Sequence, residues 1–121
     1  MDCSCVYVDM DYFAPEFFVS KDRKARKAHT CCECGATINT GDNYRVESGK
    51  WEGVFNYYKT CSACIEIRDK FFCEGYYFEM LMELLNNHIQ EIDGDVSASC
   101  LSILSPNARE KVCELIEACW E

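Results

Sequence analysis

The chain has 121 residues, with 21 acids against 12 bases and a net charge of −9 at pH 7; this is the length of one domain, and the charge is wrong for a protein clad all round in phosphate backbone. Apolar residues make up 49% and charged residues 27%, a balance that excludes a disordered chain, and no apolar run reaches the roughly 18 residues of a membrane span. Eleven cysteines, partly in C-x-x-C pairs, point to metal in a reducing compartment rather than to a disulfide scaffold, with the surplus cysteines as reduced thiols.

Taken in chain order, Met1 to Ser20 reads as an extended arm with a short strand at most, laying aromatic residues such as Tyr7, Tyr12, Phe17 and Phe18 on the core. Met1 to Met10 carries two aspartates and no base, the opposite of a secretory n-region, so a cytoplasmic location is expected. Lys21 to Lys27 holds five of the twelve bases and reads either as a solvated connector or as a nucleic-acid contact. Turn signals follow at Cys31–Gly35, Thr40–Asp42 and Glu47–Lys50, the last as a hairpin turn between strands Asn43–Glu47 and Trp51–Lys59.

Ser62 to Phe72 switches to helix formers, with Gly75 placed to end the helix. A second helix is predicted over Tyr77–Ile92, with Phe78, Leu81, Met82, Leu85 and Ile89 on one face and Gly94-Asp95 as the stop. A turn of helix over Ser97–Leu104 precedes a last helix, which has Ser105 as N-cap, Pro106 at its first position and an apolar stripe of Val112, Leu115, Ile116, Cys119 and Trp120. Charge divides unevenly: net −4 over residues 1–20, +3 over 21–70 and −8 over 71–121.

Two C-x-x-C pairs, Cys31/Cys34 and Cys61/Cys64, supply four thiolates, each pair wrapping one edge of the tetrahedron that Zn²⁺ prefers. Gly35 suits a knuckle after the first pair, and the second pair opens a helix whose positive end favours thiolates. Cys32 would leave a one-residue gap that strains the knuckle. The expectation is one structural zinc ion, with iron bound as in rubredoxin sharing the same ligands. Knuckle, hairpin and helix-borne pair follow the order of a treble-clef finger. The expected fold is therefore α+β: a single domain over 1–121, with an N-terminal arm (1–28), a zinc-stapled treble-clef-like module (29–75) and an acidic extension of C-terminal α-helices (76–121). A second metal site from Cys3 and Cys5 with Cys73 or a C-terminal cysteine stays open, because C-x-C alone is weak evidence.

The runs Lys24–Gly35, Ser48–Gly53 and Thr60–Asp69 resemble a group of small zinc-finger proteins encoded by bacteriophages and prophages. The resemblance spans about residues 20 to 90. It implies a viral or mobile-element origin, hence a host cytoplasm as the site of action, and the same four cysteine ligands.

No catalytic constellation emerges. The hairpin region from Asp42 to Thr60 lacks the histidine base of a treble-clef nuclease, and His29 and His88 lie outside it; His88, amid Asn86, Asn87 and Gln90, reads as a surface or rim residue rather than a catalyst. A metal with four protein ligands has no place for water or substrate. The function expected is non-enzymatic binding of a host protein, extending to inhibition of a nucleic-acid-binding defence system such as CRISPR-type immunity, through acids including Glu79, Glu83, Glu110 and Glu114. The alternative is a nucleic-acid-binding or regulatory finger using Lys24, Arg26 and Lys27, with Tyr44, Trp51, Tyr57 and Tyr58 as stacking groups.

Overall fold

The computed structural model describes Val6, residues 17–72 and residues 75–121. Most of the expected arm, and Cys3, Cys5 and Cys73 with the second metal site they were weighed for, lie outside the described residues.

The chain is mixed α and β. In order it forms β1 (Phe17–Lys24), β2 (His29–Thr30), β3 (Thr37–Ile38), β4 (Asn43–Trp51), β5 (Val54–Cys61), α1 (Ser62–Phe71), α2 (Leu81–Glu91), α3 (Ala98–Ser102) and α4 (Pro106–Cys119). Strands β1, β4 and β5 make an antiparallel sheet with β4 central, and β2 pairs with β3 in a separate two-stranded ribbon. The short strand foreseen in the arm is eight residues long and takes in the first half of the basic run, because β4 is long enough to pair with all of it, from Phe17↔Lys50 to Lys24↔Asn43.

The hairpin turn lies four residues beyond its expected place. Trp51 pairs with Val54, and the two-residue loop Glu52-Gly53 has both φ angles positive, at 50° and 82°, as a type I′ connection demands. Ser48-Gly49-Lys50 runs straight through β4 instead. Gly49 there makes room rather than a bend: a Cβ would come within 2.5 Å of the Trp51 ring and 2.8 Å of the Phe17 carbonyl oxygen.

Side-chain alternation gives the sheet two unlike faces. One carries Glu47, Trp51, Tyr58 and Thr60 toward the helices. The other carries Lys21, Arg23, Tyr44, Val46, Tyr57 and Lys59. On the covered face the buried Glu47 carboxylate accepts a bond from Arg68 of α1 at 2.7 Å and another from the Tyr76 hydroxyl at 3.1 Å. Burial raises the pKa of Tyr76, which keeps its phenol protonated and able to donate. The Arg68 guanidinium lies 4.0 Å from the Tyr76 ring centroid, a cation–π contact in a desolvated setting.

Helix α2 begins at Leu81, four residues later than the apolar spacing implies. Glu79 sits at φ 69°, outside the helical region, and Phe78 is drawn away to stack on Tyr58 with centroids 4.0 Å apart and rings parallel to within 2°. The knuckle residue Glu33 supplies the missing cap: its carboxylate accepts from the Glu79 and Leu81 amides at 3.0 and 3.1 Å, placing a negative charge at the helix start. His88 is not a surface residue, as its polar neighbours implied. It is buried with Leu81, Leu85 and Ile89, all at the spacing of one helical face.

Helix α1 closes at Phe71 with Phe72 as C-cap, so Gly75 does not end it as expected. Helix α4 starts at Pro106 after Ser105, but the Ser105 side chain turns to Glu66 of α1. That carboxylate accepts from the Ser105 hydroxyl and, at 2.9 Å, from its amide. Ala108, Val112 and Ile116 of α4, Ile67 and Phe71 of α1 and Leu85 and Ile89 of α2 form the core between the helices. Trp120 leaves the stripe and is exposed, its indole N–H donating to the Asp93 carbonyl at 2.7 Å. Cys100 is disulfide-bonded, against the reading of every surplus cysteine as a reduced thiol, whereas Cys113 and Cys119 are free thiols. No helix among the described residues is long and apolar enough to cross a membrane.

Candidate metal centre

The four cysteines named from their spacing come together. Their sulfurs all lie within 4.8 Å of one another, with Cys31 and Cys64 buried and Cys34 and Cys61 partly so. Cys31 and Cys34 sit on the turn between β2 and β3. There the Cys31 amide donates to the Ala36 carbonyl at 2.9 Å, the Gly35 amide donates to the Cys31 carbonyl at 3.0 Å, and Gly35 takes φ 75°, a conformation that costs a residue without Cβ nothing. Cys61 ends β5 and is also the N-cap of α1, its sulfur making no capping bond, and Cys64 lies in the first turn. Both sulfurs therefore stand at the positive end of a helix.

The geometry suits a tetrahedral ion. Metal–sulfur bonds of ~2.3 Å put ligand sulfurs about 3.8 Å apart, and the Cys34 and Cys61 sulfurs are 3.8 Å apart. The Cys31 sulfur accepts from the Glu33 amide at 3.4 Å and from the Cys61 amide at 3.3 Å, contacts that favour a thiolate over a thiol.

Four sulfurs so close cannot all ionise alone. Hydrogen bonds from Cys34, then Cys61 and Cys64, drive Cys31 strongly toward the thiolate. The same crowding, with the Cys31 contact largest, pushes Cys61 and Cys64 strongly toward the protonated form. A dication at the centre removes that conflict. Cys32 takes no part: its sulfur lies 3.6 Å from the Thr60 hydroxyl, and burial pushes its pKa up to about 12.

The other residues singled out from sequence fall apart from this centre. Glu83 is on α2, Glu110 and Glu114 lie one turn apart on α4, Glu79 is in the turn before α2, and all four are exposed. Lys24, Arg26 and Lys27 are exposed too, and with Arg23, His29 and Tyr44 they line a concavity of about 990 Å³. Of the expected stacking groups, Trp51 and Tyr58 belong to the cluster around Phe78, Tyr44 is buried and Tyr57 is exposed.

Reading the basic run as a block missed two things. Its alternate residues diverge, Lys21 and Arg23 to the open face and Asp22 to an ion pair with Arg45 at 2.8 Å, and Lys59 joins that open face from β5. The period-two pattern of a strand was the available signal. Comparison with protein-family models, with curated proteins and with solved structures found no match to this chain.

Proposed function

We propose that this chain is a non-enzymatic treble-clef binding module whose Cys31, Cys34, Cys61 and Cys64 hold one structural Zn²⁺. The observation that carries the reading is the cluster of four sulfurs within 4.8 Å, where a β2–β3 knuckle, the β4–β5 hairpin and the start of α1 meet. Four thiolates in a tetrahedron are a zinc donor set. A filled set of protein ligands leaves no position for an attacking water, and neither histidine is placed as a base beside it: His29 packs on Tyr44 with ring centroids 5.1 Å apart, and His88 is buried on α2.

As a phage-type protein acting in the host cytoplasm, such a module works by occupying a host protein. The exposed acids of the C-terminal region, Glu79, Glu83, Glu110 and Glu114 among them, form the surface suited to a basic partner, including the nucleic-acid-binding machinery of a defence system. The supporting observation is the segregation of charge, −8 over residues 71–121, which steers basic partners through a salt-sensitive field.

The test has two arms. Metal analysis of purified protein should give one zinc per chain, lost in Cys31→Ser and Cys64→Ser and kept in Cys32→Ser; iron, no metal, or full metal in the ligand variants overturns the assignment. Charge reversal at Glu79, Glu83, Glu110 and Glu114 should weaken capture of a host protein from lysate about tenfold or more while zinc content stays unchanged. An unchanged captured set overturns the acidic-surface reading.

A further inference from the structure

Both faces of the three-stranded sheet carry rings, and those of one face, Phe17, Phe55 and Tyr57, stand open to solvent. The strand register puts four residues of each of β1, β4 and β5 on the side away from α1, and none of them is acidic. Lys21, Arg23 and Lys59 stand there among rings, with Tyr57 72% exposed, Phe55 61% exposed and Phe17 50% exposed. The middle of this face is a shallow concavity of about 540 Å³. Through Arg23, His29 and Tyr44 it runs into the larger hollow lined by Lys24, Arg26 and Lys27.

We propose that this open sheet face binds single-stranded nucleic acid, bases stacking on Tyr57 and Phe55 while Lys21, Arg23 and Lys59 hold the phosphates. Exposed rings are costly to leave in water unless something covers them. Rings interleaved with bases, without an acid among them, match a strand of unpaired nucleotides, because every base has a face to stack and every linkage a charge to neutralise. A duplex offers this face only its phosphates, its bases being stacked on one another. At about 3.3 Å per residue the eight residues of β1 span roughly 26 Å, room for on the order of four nucleotides, the low end for stacking platforms.

The acids of α2 and α4 do not oppose this. Arg68 of α1 bonds to Glu47 on the sheet's other face, so the helices lie behind it, and at a screening length of about 8 Å in physiological salt their charge bears weakly on the open side. The inference rests on the chain being a binding module, but on neither the identity of the metal nor the acidic surface.

The test uses the zinc-loaded full chain and fluorescence anisotropy with a labelled oligothymidylate and a mixed-sequence RNA, each of about 20 nucleotides, a duplex of equal length, and an oligoglutamate as competitor. Both single strands should bind at least about tenfold more tightly than the duplex. Tyr57→Ala should weaken them about five- to hundredfold, while Tyr57→Phe keeps the affinity. Lys21→Gln/Arg23→Gln should weaken binding and flatten the salt dependence by about 1.4 in slope, at roughly 0.7 per phosphate contact; Lys70→Gln, on α1, should do neither. No preference for single strands, an unchanged Tyr57→Ala, an equal loss in Lys70→Gln, or displacement by oligoglutamate at matched charge each overturns the proposal. Zinc content and lysate capture are read separately, so its failure is distinguishable from failure of the binding-module reading.

Discussion

Arg68 and Glu47 are the residues on which the sheet and the helices agree. Neither shows more than 4% of its surface to water, and the Arg68 Nη1 atom has no hydrogen-bond partner among the described residues. A buried pair of this kind adds little net stability compared with a well-packed apolar pair, yet removing one member strands the other charge. Arg68→Met should therefore cost about 3–5 kcal/mol in urea unfolding, and the double variant Glu47→Leu/Arg68→Met should recover much of that loss. A double variant as unstable as the single one would show that the cost lies in the cation–π contact with Tyr76, not in the stranded carboxylate. The cluster of four cysteines, Cys31, Cys34, Cys61 and Cys64, was legible from sequence because the chemistry of a four-thiolate site fixes its spacing. This pair was not, since its members are 21 residues apart and no local pattern marks a charge as buried.

At the scale of elements, long periodic segments and the starts of α1 and α4 were readable, whereas the hairpin turn and the start of α2 were not. The helix after Cys61, the helix after Ser105 and both hairpin strands follow directly from apolar period and capping residues. The hairpin turn went to Gly49 because glycine near serine and lysine reads as a turn, whereas Trp51 needs that glycine as a neighbour inside the strand. The start of α2 was set from another element altogether, by Glu33 of the knuckle. The backbone of Gly49 has no need of positive φ, so Gly49→Ala acts through space alone: the methyl meets the Trp51 ring and the Phe17 carbonyl. It should destabilise the protein by about 1–3 kcal/mol, as overpacking does, with a changed Trp fluorescence spectrum. An unchanged melting temperature would mean that Trp51 can leave the sheet without cost.

At the scale of the whole molecule, charge is unevenly placed among the described residues. The three-stranded sheet presents basic side chains and rings outward, and the helices α2 and α4, which carry Glu83, Glu110 and Glu114, lie behind it. That placement also bears on what the sheet does with its own margins. β1 and β5 are the outer strands, and unpaired strand margins invite pairing between chains. β1 is blunted by its run of charged side chains. β5 is shielded differently: the Cys32 amide donates to the Lys59 carbonyl at 2.8 Å, so the knuckle lies along it like a selvage. Cys32 belongs to the Cys31–Cys34 turn, whose seat depends on the Cys31 sulfur accepting from the Cys61 amide as well as on the Glu33 bonds to the start of α2. Stripping the proposed metal should then bare a β-strand margin that carries Phe55, Tyr57 and Tyr58 well before the helices melt. Chelated protein is expected to gain thioflavin-T-positive oligomers at a rate that rises with concentration, suppressed by a charge placed on the exposed side of β5, as in Tyr57→Lys; chelated protein that stays monomeric would mean the knuckle keeps its seat without the ion.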